Sequence, residues 1–299
     1  MTKDHTPMNS DVAGSDPRVR RESFPVTGAV SAHLTTRSGD VNVTHGDGES
    51  LTVTLHATGS GAAQLLEQSE IAYDASSMTL TVVSAGASGD ARVGTPFGLG
   101  FGRNRSVLGT AMRDVDVVVA LPRSSNIEVK TKSGDCAVHG ESGTVDVGSA
   151  SGDVMIEDAV SVNARTASGD IMIGRGRQNV SASSASGDVT VKEAPGTTKV
   201  QSASGDVRLL SSGGVTNVAT ASGDVVLDAT GPGKVNVRSA SGDVQVAVQS
   251  GLEIDVVAHS VSGSLTSAIP LDSAGGSGSG EPLNLSVATV SGDVRIARA

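Results

Sequence analysis

The sequence predicts an all-β protein: a right-handed parallel β-helix, or solenoid, of SGD-corner rungs about 18 residues long, behind a disordered N-terminal tail. Three observations predict it. First, Ser-Gly-Asp recurs with its glycine at Gly152, Gly169, Gly187, Gly205, Gly223 and Gly242, in steps of 17, 18, 18, 18 and 19 residues. Second, apolar residues alternate on both sides of each corner, the period of a strand with one buried face. Third, the chain has 38 glycines but three Phe, one Tyr and no Trp, which suits a thin aliphatic core.

Within one rung, the positions two and four after the glycine are aliphatic, as in Val154 and Ile156 or Val207 and Leu209, with a mixed residue between them. Before the glycine, positions seven and five are again inward, as in Val162 and Ala164 or Thr216 and Val218, around a polar residue. A second turn is expected at sites such as Ala194-Pro195-Gly196 and Gly231-Pro232-Gly233. An antiparallel meander would satisfy the alternation. It gives no reason for each column to repeat its identity, whereas stacked parallel coils place like over like at ~4.8 Å. The column Ala150, Ala167, Ala185, Ala203, Ala221 and Ala240 is expected to fill an inward corner, because alanine is small. Right-handed coiling follows from the handedness of parallel crossovers.

Along the chain, residues 1–20 are polar and aperiodic and read as a tail, and residues 21–299 as one solenoid domain. Residues 21–120 form irregular N-terminal rungs, with strands at 51–55, 71–73, 78–82 and 116–119 and a short helix over Ala62–Gln68. They are interrupted by a loop at 84–114. Residues 121–299 form the regular array, with a Gly/Ser insertion at 270–282 before strands at 283–287 and 294–296.

The formal net charge of -10 argues against nucleic-acid binding, which needs a basic face. A single cysteine, Cys136, excludes an internal disulfide, and its place in a strand column makes it a buried filler. No segment has the length and apolarity of a membrane span. Arg20-Arg21 lacks the hydrophobic region of a twin-arginine signal, and a cytoplasmic location is expected.

The sharpest polar feature is the column Asp153, Asp170, Asp188, Asp206, Asp224 and Asp243. Neighbouring carboxylates at that spacing repel by roughly 1 kcal/mol in water. A turn N–H bonded to each carboxylate returns about 1.5–3 kcal/mol, so each Asp is expected to tie down its own corner. The functional alternative is a cation ladder, with Ca²⁺ favoured by carboxylate oxygens. Ser264 breaks the column in the Gly263 unit. A second candidate is the glycine-rich, apolar and basic loop carrying Phe97, Leu99, Phe101, Arg103 and Arg105, read as a partner contact. His5, His33, His45, His56, His139 and His259 show no metal-ligand spacing. No catalytic residues and no cofactor are assigned.

The run Phe24-Pro25-Val26 with Ser38-Gly39-Asp40-Val41, and the serial SASGDV corners, resemble the bacterial adhesin-like family of β-strand repeats, also called toastrack-like, over residues 22–299. The resemblance implies a right-handed β-solenoid and supplies no catalytic residues; some of the family's members accompany envelope-stress signalling components. The expectation is a non-enzymatic scaffold that binds a protein partner, a membrane protein among them, or itself through the solenoid ends. The alternatives are a regulatory module of an envelope-stress system and a polysaccharide-active β-helix enzyme, the latter disfavoured because 102–299 holds no aromatic platform.

Overall fold

A computed structural model describes residues 16–46, 48–59, 61–85, 114–269 and 281–299. The N-terminal part comprises β1 (Val19–Pro25), β2 (Ser31–Thr35), β3 (Val41–Gly46), β4 (Ser50–Ala57), α1 (Ala62–Gln68), β5 (Glu70–Asp74), β6 (Thr79–Val83), β7 (Val115–Pro122) and β8 (Asn126–Lys130). The array comprises β9 (Cys136–Gly148), β10 (Val154–Ser168), β11 (Ile171–Ser186), β12 (Val189–Ala194), β13 (Thr197–Ser204), β14 (Val207–Ser222), β15 (Val225–Ser241) and β16 (Val244–Val248). The C-terminal end comprises β17 (Glu253–Ser262), β18 (Leu265–Ser267), β19 (Pro282–Ser291) and β20 (Val294–Arg298).

Array strands pair in parallel, in the register set by the repeat. Val154 lies over Ile171 and Ala164 over Ala182; Val207 lies over Val225 and Val218 over Val237. The predicted columns are therefore the paired columns. Val154, Ile156, Ile171, Ile173, Val207 and Leu209 are buried, and they join the inward residues of the other half-rung in one aliphatic core. The stack holds because each rung presents the same apolar row to the next.

Three expectations about the rung change. The Gly231-Pro232-Gly233 turn does not end a strand: β15 runs through it with a register shift nearby, because the rung still finds partners at the bend, whereas Pro195-Gly196 does separate β12 from β13. The alanine column, Ala150 to Ala240, faces solvent. Alternation continues unbroken into the corner, so the inward position is three before the glycine. It carries Thr166, Ser184, Ser202, Thr220 and Ser239, all buried. Size suggested alanine; parity selects the hydroxyl column.

The third change concerns order. Stacking follows chain order in the array and departs from it at both ends. β3 lies between β7 and β9, although β7 follows it by some 70 residues of chain. At the other end β19 and β20 insert between β15–β16 and β17–β18, so the last strands in sequence are not the last in space.

The N-terminal end is closed by antiparallel strands. β4 pairs with β7 and β1 pairs with β4, while β5 pairs with β6. β1 begins at Val19, inside the segment read as a tail. Arg20 explains part of this: its guanidinium donates to the carbonyls of Leu66 (3.0 Å) and Ser69 (2.8 Å) at the end of α1, and to Glu22. It occupies the carbonyls a helix end leaves free. Phe24 and Tyr73 pack with ring centroids 5.4 Å apart in the same cap.

The corner glycines stack with φ between +110° at Gly39 and +155° at Gly263. A Cβ at Gly187 would collide with the carbonyl of Gly169, and φ there is +154°. Gly187→Ala is expected to destabilise the fold by about 2–5 kcal/mol, from backbone strain plus the clash, measured by urea unfolding.

Candidate functional site

The Asp column is built by the corner itself. Between two rungs, Gly152 N–H donates to Ser168 O (3.2 Å) and Val154 N–H donates to Asp170 O (2.8 Å). The N–H of Asp170, at the bend, finds its acceptor in the side chain below: it donates to Asp153 Oδ1 at 2.9 Å. The carboxylate supplies the acceptor at the one point where the ladder turns.

The same bond repeats without interruption. Asp188, Asp206, Asp224 and Asp243 each donate their N–H to the Oδ1 of the Asp one rung earlier, at 2.8 Å. Upstream the file continues through Asp153 to Asp135, Asp135 to Asp40, and Asp40 to Asp116. Downstream Asp293 donates to Asp243, and Ser264 donates to Asp293. Each Asp thus fastens the next rung's corner, not its own. Ser264 is explained by place: it sits on the last rung of the stack, where no further corner needs a carboxylate below it. Among the described residues, no three His, Cys, Asp or Glu side chains converge as metal ligands.

Cys136 is fully buried over Val154, and burial, with Asp135 adding to it, pushes its thiol up to about 12. It is therefore a protonated packing group at neutral pH. Phe97, Leu99, Phe101, Arg103 and Arg105 lie outside the described residues.

Two features escaped the sequence. One is a set of ion pairs between rungs. In the column of Met172 and Thr190, Arg208 binds Asp228 at 2.8 Å. On the outer bend Arg175 binds Glu193 at 2.6 Å, and Arg177 binds Asp158 at 2.8 Å and also Glu141. A shallow charged depression lies there, lined in part by Glu157, Asp158, Arg175, Lys192 and Glu193. The partners are 18 to 36 residues apart, so only the stack reveals them. The other is His45, whose Nδ1 lies 2.8 Å from the carbonyl of His139, while its Nε2 is buried without a partner. Burial lowers its pKa below the ordinary 6.5, against a smaller opposing effect of the His139 carbonyl.

The outward face beside the Asp column is a parallel sheet. Its centre is a pair of methionines in register, Met155 over Met172, exposed by 39% and 43%. Ala137 and Thr190 continue the column on either side, and Val118 is exposed further along it. The methionines offer adaptable apolar contact.

The sequence model of a family described as Toastrack DUF4097 matches residues 33–297. No curated protein matches the chain significantly. Three solved structures illustrate the likeness. A candidate adhesin from Bacteroides fragilis is 11% identical, with TM-score 0.42, covering 94% of this chain and 98% of that one. A candidate lipid-binding protein from Parabacteroides distasonis is 14% identical, with TM-score 0.42, covering 93% and 96%. A candidate adhesin from the same species is 9% identical, with TM-score 0.42, covering 94% and 98%. No helix among the described residues is long and apolar enough to cross a membrane.

Asp188→Ala is expected to cost about 1–2 kcal/mol in urea unfolding, the strength of a charge-assisted hydrogen bond reduced by exposure, and Asp188→Asn distinctly less because it keeps an acceptor. Millimolar Ca²⁺ is expected to leave the melting temperature unchanged, since the bonded oxygens are already occupied; a rise abolished by Asp188→Asn would restore the cation ladder. His45 generates a second expectation. Its folded pKa lies below its unfolded one, so the unfolded chain binds the extra proton. The stability it contributes is complete above pH 6.5 and is lost as pH falls below that value. Unfolding midpoints from pH 7.5 to 5 should fall less steeply in His45→Gln than in the wild type.

Proposed function

This chain belongs to the Toastrack DUF4097 family, and from that premise we propose that it is a non-enzymatic, adhesin-like β-solenoid scaffold that binds a partner protein through its lateral sheet face. The observation that carries the reading is the in-register pair Met155 and Met172, exposed on a rigid parallel sheet. Methionine contributes polarizable, conformationally adaptable area, and a sheet held by main-chain bonds presents it without ordering cost. The neighbouring polar chemistry supports a structural role. Each Asp of the file is bound to a main-chain N–H, Cys136 is buried and protonated, and the arginines of the outer bend are held in ion pairs.

The double substitution Met155→Glu, Met172→Glu is expected to abolish recovery of a specific partner from the native host, with circular dichroism and melting unchanged. A parallel arm lacking residues 95–106 measures what that segment adds. Turnover of an acidic glycan, lost on a single Asp substitution, would overturn the reading in favour of an enzyme.

A further inference from the structure

The two ends of the stack are finished differently. The N-terminal end is covered by antiparallel β4, β1 and β5 and by α1. At the C-terminal end, β17 pairs with β19 and β18 with β20, and among the described residues neither has a second neighbour. Where Leu283, Leu285 and Val287 on β19 are sealed, the inward residues of β17 above them, Ile254, Val256 and Ala258, are only half buried. Val257 and Leu265 are exposed by 49% and 47%. β17 has neither proline nor lysine to blunt it as an edge.

We propose that this end is a self-association surface on which β17 pairs antiparallel with β17 of a second copy, about a two-fold axis through Val256. The main chain sets the register. Glu253 N–H points into the sheet, donating to Glu281 O at 3.1 Å. Strand alternation then turns the main-chain groups of Ile254, Val256 and Ala258 toward the open edge. Antiparallel pairing centred on Val256 sets Val256 against its own copy and Ile254 against Ala258. These become the hydrogen-bonded pairs, and the half-buried core of each chain closes the other's. The same register places exposed Glu253 opposite exposed His259 in a non-hydrogen-bonded pair, where side chains approach most closely. The two-fold makes that complementary contact twice. Sliding the register toward the N-terminus by one step of the pleat opposes Asp255 to Asp255; sliding it the other way sets Ile254 against Ser260.

Because the interface is isologous, assembly through it closes at a dimer. The inference stands apart from the lateral methionine face, which the dimer leaves open.

Sedimentation of the full chain over a range of concentrations tests it. The wild type is expected to be a dimer. Val256→Lys, which sets two ammonium groups side by side on the axis, is expected to be a monomer with unchanged circular dichroism. Glu253→Lys and His259→Glu should each weaken the dimer about tenfold, and the double exchange should recover it by setting an ammonium group opposite a carboxylate. A monomeric wild type, a dimer indifferent to Val256→Lys, or a double exchange no tighter than the single ones would each overturn the proposal. Loss of partner recovery on Met155→Glu, Met172→Glu with the dimer intact leaves this inference standing and bears on the lateral face alone.

Discussion

One hydrogen bond organises the stack: the N–H of each corner aspartate donates to the carboxylate of the aspartate on the adjoining rung. A parallel sheet can slide along its strands by two residues and keep its inward face inward. Glycine contact at the corner resists such a slide sterically, because in the array each glycine lies directly against the carbonyl of the glycine one rung earlier. The carboxylate resists it chemically, because a slipped rung leaves a donor at the bend without its acceptor. Close glycine contact and carboxylate capping thus hold the register that lets aliphatic columns interlock.

That arrangement also settles an electrostatic difficulty. An acidic chain of net charge -10 stacks a file of carboxylates at strand spacing. Repulsion of about 1 kcal/mol per neighbour in water is outweighed by a charge-assisted bond of about 1.5–3 kcal/mol from each file member to the main chain. On the outer bend the balance is struck differently, by arginines reaching to acids on other rungs, as Arg175 does to Glu193. Being exposed, these pairs contribute less to stability than to the choice of which rung lies beside which.

The ends give the molecule direction. Arg20 ties α1 to β1, and antiparallel strands close the first rungs. The far end leaves Ile254, Val256 and Ala258 under a single layer of partners. Interleaving at both ends makes the terminal rungs topologically dependent on strands distant in sequence. β3 cannot be seated until β7 and β9 flank it, and β19 lies between β15 and β17. Long-range pairing of this kind slows folding.

Much of the fold was legible because a repeat turns one local reading into many. Val154 and Ile156 revealed their column, and the register of every array rung followed from the step between glycines. The aspartate column was equally visible, but its bond was assigned within the corner when it crosses to the next, since a sequence cannot distinguish a turn from a stack of turns. The alanine column was turned inward on size, where unbroken alternation sends it out and buries Thr166 and Thr220 instead. Arg177 and Asp158, 19 residues apart, carried no signal at all. Periodicity along one dimension is thus written in the chain, because each rung meets the same neighbour at the same offset. The swapped order of the terminal rungs, the covered end and the open end were decided only in three dimensions, because they depend on which surfaces remain without a partner once the repeat stops.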